Sequence, residues 1–368
     1  MLPFCSTMDR ERLIAQVKLN CDISDAGYWG YYSICGLLLR LRDLYRSEHS
    51  LMAWAPIPEK EIAEWISMKE RSWDELAGES FHPIEIGGTV YDPFEVYEIN
   101  RVLKECGLVY GGGFGAFSKP TFFLAKLLSE GGMADYHVYH AGNELCRDLS
   151  APVAMLQGRC IFMREDQILE LIWGKFYEVK GKRFGGALKE AFALYGIGVS
   201  ERPSAVLLER LKDLSSELSG IFLLHEIGEA FEDEHSDEWL GIIHHNKDRW
   251  SEFYLRAIKD LLADTSEMGP LRAIYEKKRR GLLSFYLAFM DGIRKELFPE
   301  ILTAFQDFSE NGNWSLIEGA RRKGYQKAAG LMREIVALAA QGDHGMIRGY
   351  LERRKQSGWK ANSLLSVK

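Results

Sequence analysis

The sequence predicts a mainly α protein, with an aromatic-rich helical N-terminal domain that carries a small β hairpin or sheet, followed by a C-terminal antiparallel helical bundle. Three observations carry that prediction. Apolar residues recur at three- and four-residue spacing over most of the 368 residues. Short β-branched or aromatic runs set off by glycine fall only between about residues 80 and 165. Gly196, Gly198 and Pro203 then break the pattern, and almost everything after them is helical in period. The break divides the chain into residues 1–200 and 201–368.

In chain order, Tyr28, Trp29, Tyr31 and Tyr32 lead into Ile34, Leu37, Leu38, Leu41 and Leu44, so the apolar run 27–39 reads as a buried helix. It is well short of the roughly 20 residues needed to cross a bilayer. Pro56 and Pro58 precede a helix from Glu59 to about Ala77, with Ile62, Trp65, Ile66, Trp73 and Leu76 on one side. The stretch Ile84 to Tyr91 alternates about Gly87-Gly88, a hairpin signal. Another helix runs from Pro93 to Cys106 and stops at Gly107. The run Gly111-Gly112-Gly113-Phe114-Gly115 lacks the Gly-Lys-Ser/Thr ending of a phosphate loop and reads as a flexible loop. Strands of a minor sheet are expected at 135–139 and 159–163. The helical pattern resumes from Glu165 to Val179 and again to Tyr195. Beyond the break, helices are expected at about 203–234, 237–264, 269–297, 299–308, 313–340 and 344–355, with connections short enough to make neighbours antiparallel.

Composition narrows the class further. With 46 Lys and Arg against 53 Asp and Glu, and 46% hydrophobic residues, the chain is neither disordered nor collagen-like. Its first 21 residues carry Asp9, Arg10, Glu11 and Arg12 and lack the apolar run of a secretory signal. The six cysteines show no Cys-x-x-Cys pair and fit reduced thiols. A cytoplasmic protein without a membrane partner is expected. From Arg321 onward, eleven basic residues stand against three acidic ones. That end reads first as a solvated helix face and otherwise suits an acidic partner, while nothing resembling a helix-turn-helix supports nucleic-acid binding. The abundant aromatics suit a homo-oligomeric interface as well as a core.

Chemistry concentrates on the 203–234 helix. Leu207, Leu211, Leu214, Leu218 and Ile221 form one stripe, and continued at about 100° per residue it meets His225, Glu229 and Glu232. Carboxylates on an apolar face require a cation. A His at i with Glu at i+4 and i+7 presents nitrogen and oxygen donors on one face, a pattern that suits divalent Fe, Mn or Zn inside a helix bundle. His235 stands at Glu-x-x-His spacing from Glu232, and His140, near Glu144, is a further donor able to complete the sphere. Glu226, one position off the core face, is the candidate general base for activating water or dioxygen. Lys278, at an inward position of the 269–297 helix, is the competing source of positive charge. Two functions therefore stand open: a metal-dependent hydrolytic or oxidative enzyme, and a non-enzymatic helical interaction or scaffold protein in which the cluster is a buried ion-pair network.

The words Leu223-Leu224-His225-Glu226-Ile227-Gly228 and Ile242-Ile243-His244-His245 look locally like the metal-binding core of HD-domain phosphohydrolases, where a helix ends in Leu-Leu-His-Asp-x-Gly and later histidines complete the site. The resemblance spans under a tenth of the chain and has Glu226 where that family has Asp. No Gly-x-Ser-x-Gly elbow and no His-Glu-x-x-His motif occurs.

Overall fold

A computed structural model describes residues 8–133, 135–181, 186–198, 200–232, 236–246, 248–290, 292–341 and 344–365. The chain divides into two compact units, Met1–Tyr177 with Glu201–Ser219, and Glu178–Ser200 with Gly220–Lys368.

In the first unit, helix Arg10–Tyr28 starts where the Asp9 side chain accepts from the Arg12 N–H at 3.0 Å. Its Leu13, Val17 and Cys21 are buried against a sheet. Helices Ile34–Glu48 and Glu59–Leu76 join it through Leu41, Leu44, Tyr45, Trp65 and Trp73. The run 27–39 is not one buried helix. The first helix ends at Tyr28, Ser33 caps a new one by accepting from Gly36 N–H, and Ile34 at its start is 80% exposed. The hairpin does form, as β1 (Ile84–Ile86) and β2 (Thr89–Tyr91). Gly87 at φ +58° and Gly88 at φ +84° supply the left-handed turn that matches strand twist.

The expected small hairpin or sheet in a mainly α protein is corrected by a five-stranded mixed sheet in the order β3-β4-β5-β7-β6. Its strands are β3 (Leu108–Phe114), β4 (Pro120–Met133), β5 (Tyr136–Arg147), β6 (Ala154–Gln157) and β7 (Cys160–Arg164). Only β5 and β7 pair in parallel. The glycine run read as a flexible loop lies inside β3 as far as Phe114. A Cβ on Gly111 would collide with the Phe123 ring, and one on Gly113 with the Gln157 carboxamide. Close packing therefore demands the residue that erases the usual strand signal. In β4, Thr121 to Ala125 are buried without alternation, and register shifts at Leu124/Lys126 and Leu127/Ser129 break its period against β5.

Two buried polar groups of this unit, Asn100 and Lys119, find partners across the fold. Asn100 of helix Val96–Leu103 exchanges two hydrogen bonds with the Tyr110 backbone, at 2.7 and 2.8 Å, tying helix to β3. Lys119, only 3% exposed, sits 3.0 Å from Asp25 Oδ1 and 3.3 Å from Asp148 Oδ1 and donates to Ser24 Oγ. Cys21, Cys146 and Cys160 are buried free thiols and Cys35 an exposed one.

The second unit is helical. Two of the long helices expected there are broken. The 237–264 span is Ser236–His245 and Arg249–Thr265, the second capped by Asp248 accepting from Ser251 N–H. The 269–297 span is Pro270–Lys277, Arg280–Phe289 and Gly292–Leu297, with Lys278 in the left-handed region ending the first. Leu255, Ile258, Leu261, Phe285, Phe298, Ile317 and Leu331 are buried. Part of the basic C-terminal end is internal. Arg321, 2% exposed, pairs with Glu318 at 2.7 Å and donates to the Thr265 carbonyl, closing the end of helix Arg249–Thr265. Arg322 also pairs with Glu318, and Lys327 with Glu300. Among the described residues, no helix is long and apolar enough to cross a membrane.

Candidate metal centre

Helix Ala205–Phe231 buries Leu207, Leu211, Leu214, Leu218 and Ile221, and the same period carries His225 and Glu229 inward. Their side chains are 22% and 17% exposed, so the cluster is sheltered yet reachable. Between them lies Gly228, where a Cβ would stand 2.5 Å from the Ala263 carbonyl oxygen. Glycine thus lets this helix approach helix Arg249–Thr265 backbone to backbone. The approach sets His225 and Glu229 beside Lys259, Asp260 and Asp264.

The ring of His225 is held from both sides. Its Nδ1 meets Asp264 Oδ1 at 2.7 Å, and Asp264 Oδ2 in turn accepts from the Tyr286 hydroxyl at 3.0 Å. Its Nε2 faces Glu229 Oε1 at 3.6 Å. The other oxygen of Glu229 pairs with Lys259 Nζ at 3.0 Å. Donor atoms of His225, Glu229 and Asp260 all lie within 4.8 Å of one another. Arg294 Nη1 stands 3.9 Å from Asp264 Oδ2 and 4.0 Å from Asp260 Oδ2.

Carboxylates are abundant for the cations present. Glu226, Glu229, Asp260 and Asp264 stand close to Lys259 and Arg294, while nearby Arg256 pairs with Glu252 at 2.9 Å. Burial alone would lower His225, but Asp264 overrides it and, with Glu229 and Asp260, holds the imidazole up at about 10. Burial pushes Glu226 up to about 7, with the Glu229 carboxylate adding to the shift, and pushes Asp260 up to about 6 despite His225 and Arg294. Burial would raise Glu229 as well, but Lys259 and His225 bring it below its ordinary value.

These residues lie within a recognisable family region. A model for the N-terminal domain of the family of unknown function DUF6866 matches residues 12–164, and the model for its C-terminal domain matches residues 169–353. The chain belongs to the DUF6866 family. No curated protein and no solved structure matches it. The cluster sits in the DUF6866 C-terminal domain, as do both helices that build it.

Of the residues singled out in the sequence, His225 and Glu229 come together, and Glu226 lies beside them, buried. Glu232 follows the last turn of its helix and accepts from the Tyr325 hydroxyl at 3.0 Å. His235 lies outside the described residues. His140 belongs to the first unit, where its Nδ1 meets Glu165 Oε1 at 2.8 Å and Ser219 donates to the same oxygen. Lys278 is not the neutralising lysine. It is exposed, and its ammonium stands 3.5 Å over the Tyr275 ring, whereas Lys259 holds Glu229. The histidines of the HD-like second word do not join the cluster: His244 is exposed, and His245 Nδ1 bonds the Gly241 carbonyl of its own helix. Sequence reading missed Asp260 and Asp264. Their signal is two acids at i and i+4 inside the apolar run Ala257 to Ala263 and just beyond it.

Proposed function

We propose that the DUF6866 C-terminal domain binds a divalent Mn, Fe or Zn ion through His225 Nε2, Glu229 Oε1 and an Asp260 carboxylate oxygen. The observation that carries this reading is the convergence of those three donors while Asp264 orients the other ring nitrogen, the arrangement by which an outer carboxylate fixes a metal-ligating imidazole. One nitrogen and two carboxylate oxygens suit a first-row divalent ion. Metal–ligand distances of about 2.0–2.2 Å bring such donors about 3 Å apart, so the present spacing has to contract. Lys259 on the far oxygen of Glu229 orients that carboxylate and leaves Oε1 for the ion. Three protein ligands would leave open positions for water, which the ion would acidify, and Glu226 is the group we assign to take the proton. The chemistry proposed is hydrolytic or oxidative.

A second reading has one observation in its favour. The 3.0 Å Lys259–Glu229 pair already compensates one carboxylate, and with a protonated His225 the cluster can stand as a closed ion-pair network in a non-enzymatic protein. Elemental analysis of protein purified without a metal-affinity column, followed by calorimetric titration with Mn²⁺ and Zn²⁺, separates the two. The metal reading expects one ion per chain, a melting temperature lowered by chelation, and loss of binding in His225→Ala. Asp264→Asn is expected to keep the fold and weaken binding about 10- to 100-fold. No binding, with a chelator-insensitive melt, leaves the network reading.

A further inference from the structure

We propose that the first unit carries a binding cavity for an organic cation, an amine or guanidinium on an apolar stem, held between the Trp54/Trp173 pair and the carboxylates of Asp166 and Glu170. The inference is independent of the metal centre, since every residue lining the cavity belongs to the first unit.

The cavity measures about 470 Å³, room for a small organic molecule. Helix Glu165–Gly181 presents Asp166, Glu170 and Trp173 to it at spacings of four and three, one helical face. Opposite, the segment after Ser50 brings Met52 and Trp54, whose indole lies against Trp173 with centroids 5.0 Å apart at 56°. Leu208 and Leu211 extend the apolar wall.

The arginines nearest the two carboxylates lie closer to a third, Glu144. Arg164 and Arg147 turn to Glu144, at 2.7 and 3.4 Å, and Gln167 donates to the same carboxylate. Two cations line the cavity as well: Arg46 pairs there with Asp43 at 3.3 Å, and Lys126 is exposed. Asp166 accepts from the Glu144 backbone N–H at 2.9 Å. The nearest cation to Glu170 is Arg147 Nη2 at 3.8 Å, beyond hydrogen-bond reach. Among the described residues, then, two carboxylates line an aromatic cavity with no cation hydrogen-bonded to either. Burial pushes Glu170 up to about 7 against the pull of Arg147, and Asp43, Glu144 and Asp166 add to the rise. A bound cation relieves that crowding of negative charge, and indole faces attract the same species. An anion would meet both carboxylates, and a neutral ligand would leave them as they are.

The test uses the full chain with agmatine and choline as probes and succinate as the oppositely charged comparator, followed by calorimetry and tryptophan fluorescence. Saturable binding of at least one cation with Kd below about 1 mM, and none of succinate, is expected. Glu170→Gln and Trp54→Leu should each weaken it at least about tenfold while the melting temperature of Glu170→Gln stays equal or rises, because an amide removes one of the crowded negative charges without changing shape. Failure of both cations to bind at 10 mM, equal binding of succinate, or undiminished binding in Glu170→Gln with Asp166→Asn would each overturn the proposal; that ceiling is about tenfold above the expected Kd.

Discussion

Lys119→Met is expected to destabilise the first unit by about 3–5 kcal/mol at pH 8, the cost of leaving buried carboxylates without their cation. The lysine is almost wholly enclosed, and Asp25 and Asp148 are buried on either side of it. The carboxylates also hold the surrounding backbone: Asp25 accepts from Leu149 N–H at 3.0 and 3.1 Å, and Asp148 from Phe122 N–H at 2.7 Å. A change at one side chain therefore reaches helix Arg10–Tyr28, the start of β4 and the end of β5. The effect carries a pH signature. Burial pushes Asp25 up to about 7 even against Lys119, so a folded protein lacking the lysine gains by protonating it. A carboxyl raised above its ordinary value loses stability as pH rises, and the deficit of the variant should be largest at pH 8 and shrink toward pH 5. Denaturant titration of both proteins at the two pH values checks this, and equal midpoints at pH 8 would show that the lysine compensates nothing.

Gly228→Ala should destabilise the second unit by about 1–3 kcal/mol and open the metal centre. In an ordinary exposed helix the same change stabilises by up to about 1 kcal/mol, because alanine is the better helix former. Here the new methyl would press on the Ala263 carbonyl, and backbone of a packed helix gives way only by moving the helix. Displacing helix Arg249–Thr265 lengthens both the His225–Asp264 bond and the Glu229–Lys259 pair, since each spans the same two helices. A lowered melting temperature with weakened Mn²⁺ or Zn²⁺ binding is the expected pair of results. A rise in melting temperature would sink the claim that glycine sets the spacing of these helices.

Features that depend on neighbours in sequence were legible before any tertiary structure. The helix Glu59–Leu76, the Gly87-Gly88 hairpin and the stop at Gly107 follow from capping, turn chemistry and a period of 3.6. So does the pairing of His225 with Glu229, because positions i and i+4 share a helix face whatever packs against it. Only the tertiary structure decided which groups meet that pair. Asp260 and Asp264 are more than thirty residues away, and Lys259 rather than Lys278 supplies the charge because Lys278 ends its helix in a left-handed turn while Lys259 rides on the helix that Gly228 admits. The sheet was hidden for a related reason. Strand β3 uses glycines where its neighbours' side chains lie across it, and β4 is buried without alternation, so neither shows the period of two by which a half-exposed strand is read. Local periodicity records which face of a segment is buried, and the identity of what buries it is settled by contacts far apart in the chain.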